Sequence, residues 1–145
     1  MSEVRVRRVR KKDAVAIRRI DASITKGQST LDFERIVAEE VGKSTDASFV
    51  AEVNGKVVGY MISYLTRGNF GVDNCAWIAM FGVDPKFMGQ GIGKRLADEI
   101  FKFCKEKGVT NVFTSVSWDS TDILSFFKTL GFNRSDFINL RKSLE

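Results

Sequence analysis

The sequence predicts an α/β protein in which a mixed β-sheet carries helices on both faces. Apolar segments of strand length alternate with amphipathic segments of helix length along its 145 residues. Asn54-Gly55 separates two apolar runs, the pattern of a type I′ hairpin turn. Asn74–Val83 is almost continuously apolar, which is typical of a strand covered on both faces and central in its sheet. We expect a single domain over residues 1–145 with six to seven strands and about four helices.

The first half of the chain is predicted to hold one strand, two helices and the hairpin. Val4 and Val6 alternate with arginines, which indicates a short first strand. Asp13 is expected to cap a helix that runs to about Ser23, and Gly42 to end a second one. The predicted ranges are strand Val4–Val9, helices Asp13–Ser23 and Leu31–Val41, and hairpin strands Ser48–Val53 and Lys56–Thr66.

The second half is predicted to alternate strands and helices around a glycine-rich loop. Leu96 and Ile100 lie on the apolar face of an amphipathic helix that ends at Gly108. Ser120 is the expected cap of the last helix, which ends at Gly131. The predicted ranges are strand Asn74–Val83, loop Asp84–Gly91, helix Ile92–Lys107, strand Val109–Ser117, helix Ser120–Leu130 and strand Phe137–Leu144.

The composition excludes several kinds of catalytic site. The chain contains no histidine, which rules out Ser-His-Asp and Cys-His nucleophiles and histidine zinc sites. Its two cysteines, Cys75 and Cys104, lie far apart among apolar neighbours, so we expect buried reduced thiols, no metal site and a cytoplasmic protein. No uncharged run approaches the ~20 residues of a membrane helix, and no signal-peptide segment follows the basic start.

Basic residues are concentrated near the start of a chain whose net charge is +5. One interpretation is a surface for nucleic acid, an anionic membrane or a phosphorylated ligand. We favour a solvated face of the first strand, because charge runs are usually solvated and no aromatic residues are interleaved for base stacking. The residues concerned are Arg5, Arg7, Arg8, Arg10, Lys11 and Lys12.

The segment with the strongest chemical signal lies between the buried strand and the amphipathic helix. Three alternate glycines allow the backbone to approach a ligand closely, and the N–H groups of the helix start favour an anion such as a diphosphate. The spacing fits neither the nucleoside triphosphate loop nor the dinucleotide fingerprint. The loop residues are Met88, Gly89, Gln90, Gly91, Ile92, Gly93 and Lys94.

This segment resembles the central signature of the GNAT superfamily of acyl-CoA-dependent N-acyltransferases. Val83-Asp84-Pro85 and the loop that follows match it, although Met88 stands where the family usually has arginine or glutamine. A second family segment is similar to Ser120–Phe132, where Phe126, Gly131 and Phe132 match while Ser120, Ile123 and Phe127 replace asparagine, alanine and tyrosine.

The resemblance implies that acetyl-CoA is the co-substrate and a primary amine the acceptor. Its diphosphate would bind the backbone N–H groups of Met88–Lys94, and its pantetheine arm would pair with Phe81, Gly82 and Val83. The N–H of Phe81 would face the thioester oxygen, Gly82 would form a bulge that opens the strand edge, and Phe127 would lie against the cofactor. A coenzyme A-binding module without catalysis and a nucleic-acid-binding domain stay as alternatives, as does a homodimer beside a monomer.

The groups that move protons stay open at this point. The candidate bases are Asp73, Glu52 and Asp119, each of a kind more often found solvated. Phe127 has no hydroxyl with which to act as the acid, so Ser117, Ser120, Ser125 or water are its candidate replacements. Tyr60 and Tyr64 offer hydroxyls from the third strand, although a core position is the favoured interpretation for both.

Overall fold

The structure is a computed structural model that describes residues 3–68 and 70–144. It confirms the α/β class and divides into two compact units, Met1–Ser115 and Val116–Glu145. The first unit contains strands β1 (Val4–Arg8), β2 (Phe49–Val53), β3 (Lys56–Thr66), β4 (Cys75–Val83) and β5 (Asn111–Thr114), and helices α1 (Ala14–Thr25), α2 (Phe33–Glu40) and α3 (Ile92–Glu106). The second unit contains helix α4 (Thr121–Thr129).

The sheet is mixed, as predicted, and its strands follow the order β1-β2-β3-β4-β5. Neighbouring strands are antiparallel from β1 to β4, whereas β5 runs parallel to β4 after the crossover through α3. The hairpin between β2 and β3 turns at Asn54 and Gly55, whose φ angles of 52° and 77° confirm the type I′ turn. The sequence therefore places β4 correctly in the interior of the sheet.

The prediction of six to seven strands is wrong, because the sheet has five among the described residues. Residues 137–144, predicted as a strand, have no regular structure there. Their apolar side chains are exposed, with Leu140 at 88% and Leu144 at 85%. A strand needs a neighbour for its backbone N–H and C=O groups, and strand propensity alone does not supply one.

Strand β5 is also shorter than predicted. Val109 is not part of β5, because its N–H donates to the carbonyl of Cys104 and so completes the C-terminal cap of α3. Gly108, with φ of 75°, makes this left-handed cap possible. The strand consequently begins at Asn111 rather than at Val109.

The helices of the first unit cover opposite faces of the sheet. Tyr60 of β3 belongs to a buried cluster with Ile17 and Ile20 of α1 and Phe33 of α2. The neighbouring Gly59 faces the other side, where a Cβ would lie 2.9 Å from Cγ2 of Ile92 in α3. Glycine at this position lets the first turn of α3 pack directly on β3. The close approach fixes where the loop before α3 lies.

The basic start of the chain is not simply a solvated face. Arg7 is largely buried and donates two hydrogen bonds of 2.9 Å to the carboxylate of Asp13 and one of 3.0 Å to Glu52. The guanidinium of Arg8 lies 4.5 Å from the centre of the Phe103 ring. Asp13 precedes α1 but makes no side-chain cap, because its carboxylate is taken by Arg7 and by the N–H of Arg10. The predicted capping role of Asp13 is therefore wrong.

Candidate active site

The sheet opens between β4 and β5. These two strands pair from Cys75 with Asn111 to Ile78 with Thr114, and pairing ends there. The Thr114 hydroxyl donates to the carbonyl of Ile78 at 2.9 Å, which closes the end of the ladder. The second half of β4 consequently has no β5 residue beside it. A sheet edge beyond the end of such pairing is where an extended ligand chain binds by strand addition.

A β-bulge at Ala79 lies where the two strands part. Ile62 of β3 pairs with Met80 and the next residue, Ser63, pairs with Ile78, so Ala79 is the extra residue. A bulge bends its strand and increases the local twist, which turns β4 away from β5. The prediction of a bulge at Gly82 is wrong, since Gly82 stays in register with Tyr60.

The backbone N–H of Phe81 points toward the open edge of β4. The Asp84 N–H donates to the carbonyl of Val58 in β3 at 2.8 Å. Along an antiparallel strand the N–H groups alternate between the two edges, so that of Gly82 also points toward β3. Those of Phe81 and Val83 therefore point the other way. A polarised carbonyl lying at this edge would meet the Phe81 N–H.

The loop after β4 is held at its start by Asp84. Its buried carboxylate accepts from the Lys86 N–H at 3.0 Å, and its carbonyl accepts from Phe87 at 2.8 Å. Pro85 fixes the first residue of the short 3-10 turn that follows. These contacts give the glycine-rich residues a defined starting point and direction.

The start of α3 exposes backbone N–H groups that no side chain caps. Gly91 occupies the N-cap position with φ of 76° and makes no side-chain cap, and Gly89 has φ of 79°. Such positive φ values turn successive N–H groups toward the same side, which is the geometry of an anion-binding turn. The first turn of α3 contains no acidic residue. The positive end of the helix dipole therefore faces a site suited to a diphosphate.

The basic residues beside this turn have partners of their own. Lys94 pairs with Asp98 one turn further along α3, with 2.8 Å between Nζ and Oδ2. Arg95 donates to the carbonyl of Val4 in β1 at 2.8 Å. The Lys94 side chain is two-thirds exposed. An anion at the turn would meet main-chain donors first and Lys94 at the rim.

Comparison with known proteins decides the family. The family model described as Acetyltransferase (GNAT) family matches residues 14–132, most of the chain. The chain belongs to the GNAT acetyltransferase family. The resemblance drawn from the glycine-rich loop is thereby confirmed.

Individual relatives agree with this GNAT assignment. The mycothiol acetyltransferase of Amycolatopsis mediterranei is 28% identical over 114 residues, covering 75% of this chain and 38% of that protein. An uncharacterized N-acetyltransferase of Methanocaldococcus jannaschii is 32% identical over 97 residues, covering 66% of this chain and 43% of that protein. The chain thus spans about two fifths of the length of these curated relatives.

Solved structures show the same fold. The aminoglycoside N-acetyltransferase AAC(6')-Iy, in complex with CoA, superimposes with a TM-score of 0.84 at 18% identity, covering 99% of this chain and 96% of that one. At this identity the likeness establishes the fold.

The structure separates the predicted acid–base groups of this GNAT protein. Asp73 lies before the start of β4, is 72% exposed and pairs with Arg67 at 3.6 Å. The stretch of β4 from Cys75 to Phe81 spans about 20 Å, and Asp73 lies beyond its far end. Direct proton transfer to a thioester at Phe81 does not fit this separation. Glu52 lies in the ion-pair cluster with Arg7.

Two further predicted residues belong to the second unit. Ser120 is at the N-cap position of α4 and makes no side-chain cap. Phe127 is buried, with its ring centre 5.2 Å from that of Phe126 and 5.1 Å from that of Phe132. Both residues stay predictions for the site, and so does Asp119, which is exposed.

The arrangement of carboxylates and thiols in the described part of the chain bears on metal and cysteine chemistry. Residues 3–68 and 70–144 hold no group of three or more metal-binding side chains. Burial raises the pKa of Cys104 to about 11 and also raises that of Cys75. Neither thiol is a ready nucleophile at neutral pH. In the same residues no helix is long and apolar enough to cross a bilayer.

The structure places Tyr60 in the core, the position that the sequence analysis favoured over a hydroxyl in the cleft. Its side chain is 2% exposed, yet its phenol ring lies over Gly82 at the open part of β4. The sequence signal for this contact is a tyrosine on one strand and a glycine on the next. It can be recognised only once the register that pairs Tyr60 with Gly82 is known.

Proposed function

We propose that this GNAT protein transfers an acetyl group from acetyl-CoA to a primary amine by direct attack within a ternary complex. The observation that supports this most is that the open edge of β4 continues into the start of α3. The open edge of β4 leads, through the loop that Asp84 anchors, straight into the uncapped start of α3. One ligand with an extended arm and a diphosphate fits both.

In this proposal the main chain does most of the binding. The N–H groups of residues 89–94 hold the diphosphate, whereas the N–H of Met88, also predicted to bind it, donates to the Pro85 carbonyl at 3.4 Å. Phe81, Gly82 and Val83 pair with the pantetheine arm as a further strand would. The Phe81 N–H donates to the thioester oxygen as negative charge develops there. One such donor is worth about 10²–10³ in rate. No side chain at Met88 is required for these contacts.

Direct attack of the amine on the thioester does not require an acidic side chain at position 127. The amine nitrogen forms a bond to the carbonyl carbon, the carbon–sulfur bond breaks, and coenzyme A leaves as its thiolate. A thiol pKa of about 8.5 makes this leaving group stable without full protonation. Phe127, which has no acidic proton, is therefore compatible with turnover.

The acceptor must lose a proton before it can attack. For a lysine-like amine of pKa about 10.4, the neutral form costs roughly 4–5 kcal/mol at pH 7, against about 1–1.5 kcal/mol for an α-amine. Protein N-termini, lysines and small amines all stay candidates. We also propose that residues 1–145 act as one acetyltransferase domain, since the family match at residues 14–132 includes parts of both compact units.

A coenzyme A-binding module without catalysis is the second candidate. Phe127 at the position of the usual tyrosine and Met88 at that of the usual arginine or glutamine favour it. The two candidates share the same ligand and differ only in turnover.

Thiol release from acetyl-CoA distinguishes them. We expect saturating acetyl-CoA to raise the melting temperature, and a panel of an α-amino peptide, a lysine peptide and small diamines to accelerate thiol release above the amine-free background. Thermal stabilisation with no amine-dependent release would favour the binding module. No stabilisation at all would contradict both candidates.

A further inference from the structure

Tyr60 reaches the open edge of β4 because Gly82 has no side chain. The two residues are directly paired across β3 and β4. A Cβ on Gly82 would lie 2.8 Å from Cε1 and 2.9 Å from the hydroxyl oxygen of Tyr60. The phenol therefore occupies the space above Gly82. Phe33 holds the ring from the other side in an edge-to-face contact of 6.1 Å.

The phenol lies on the face of the sheet opposite to α3. Tyr60 packs with α1 and α2, whereas its neighbour Gly59 faces α3. The turn that would hold the diphosphate belongs to α3. An acceptor that approaches the open edge from the face that α1 and α2 cover would therefore meet the Tyr60 hydroxyl and the last turns of α1.

Asp21 provides negative charge near this position. It is half-buried on α1, one helical turn after Ile17, which packs in the same cluster as Tyr60. Burial first, and then the charge of Asp21, raise the pKa of the Tyr60 phenol above its ordinary value, so it stays protonated at neutral pH. Arg18 pairs with Glu34, and Arg19 donates to the carbonyl of Val57 at 2.9 Å. The neighbouring cations on α1 are thus held by other acceptors.

We propose, on the basis of the acetyl-transfer function above, that Asp21 and Tyr60 form the acceptor side of the site and select amines with a second positive charge. The reacting amino group has to be neutral, while a second ammonium group on the same molecule stays charged and pairs with the Asp21 carboxylate. The Tyr60 hydroxyl donates a hydrogen bond to the thioester sulfur as it becomes a thiolate. The thiolate gains its proton from solvent, and the proton lost by the amine goes to water.

Cadaverine and pentylamine test the selection, because they differ only in the second amino group. In the wild type we expect a KM for cadaverine roughly two- to fivefold below that for pentylamine. Asp21→Asn should remove this difference and leave the KM for acetyl-CoA unchanged. Glu39→Gln, which removes an exposed carboxylate on α2, is the matched control and should keep the difference.

Tyr60→Phe tests the hydroxyl without emptying the core. The ring and its contact with Phe33 remain, so we expect normal stability and acetyl-CoA binding with kcat lowered about tenfold, as for a lost hydrogen bond to a developing charge. Tyr64→Phe, four residues further along the same strand, is the control and should keep the wild-type kcat.

The outcomes separate this inference from the function on which it rests. Wild-type selectivity in Asp21→Asn, or wild-type kcat in Tyr60→Phe, would overturn the inference while acetyl transfer stands. Thiol release that no amine accelerates in the wild type would overturn both.

Discussion

Gly91→Val is expected to weaken acetyl-CoA binding at least about 100-fold. Gly91 has φ of 76° at the N-cap of α3, a conformation that a β-branched residue does not adopt without strain. The substitution would turn the N–H groups of the loop away from the diphosphate. Losing two hydrogen bonds to a charged group, at about 1.5–3 kcal/mol each, corresponds to more than two orders of magnitude in Kd. Isothermal titration calorimetry with acetyl-CoA measures the change.

A second glycine provides the control for this substitution. Gly42 is exposed and has φ of 92°. As at Gly91, a Cβ added there would meet no atom within 4 Å. Gly42→Val should therefore cost comparable backbone strain while the Kd for acetyl-CoA stays at the wild-type value. Equal weakening by both substitutions would mean that general destabilisation, not the loop, governs binding.

Asp13→Ala is expected to lower the free energy of unfolding by about 3–5 kcal/mol. The Arg7 side chain is 11% exposed and that of Asp13 is 3% exposed, so the substitution leaves a largely buried guanidinium with Glu52 as its remaining carboxylate. Breaking one partner of a buried ion pair costs about this much. Urea denaturation monitored by circular dichroism provides the measurement.

The exposed pair of Arg18 and Glu34 is the control for this loss. Its side chains are 56% and 45% exposed, and Glu34→Ala should cost no more than about 1 kcal/mol. If Asp13→Ala costs as little as Glu34→Ala, the buried pair does not stabilise the junction of β1, β2 and α1.

The same carboxylate makes stability fall in acid. Burial alone would raise the pKa of Asp13, but the hydrogen bonds from Arg7 and Arg10 outweigh it and lower that pKa below its ordinary value. A carboxyl whose folded pKa is depressed contributes stability above its unfolded pKa, about 3.9, and loses it as the pH falls through the lower folded value. Asp13→Ala should lack this part of the acid dependence.

Local sequence patterns predicted those elements of the fold whose conformation depends on adjacent residues alone. The Asn54-Gly55 turn, the apolar run of β4 and the amphipathic face of α3 each depend on a few adjacent residues, and the structure matches all three. The end of the chain shows the opposite case. Phe137–Leu144 has strand-forming residues, but pairing depends on a partner that the segment itself does not contain.

In the candidate site, too, the features set by adjacent residues were predictable and those set by strand pairing were not. The glycine-rich turn was predictable because Gly89 and Gly91 set its backbone locally. The bulge at Ala79 depends on the register between β3 and β4, and alanine carries no local signal for it. The reach of Tyr60 over Gly82 likewise follows from pairing between residues 22 positions apart in the chain. Glycine at position 82 suggested a bulge, whereas in the structure it makes room for a neighbour.

A crystal structure of the chain grown with coenzyme A tests the central claim most directly. The proposal predicts diphosphate oxygens about 2.7–3.2 Å from backbone nitrogens of residues 89–94, with the pantetheine arm running beside Phe81–Val83. A diphosphate bound away from this turn, with the N–H groups of 89–94 facing solvent, would contradict it.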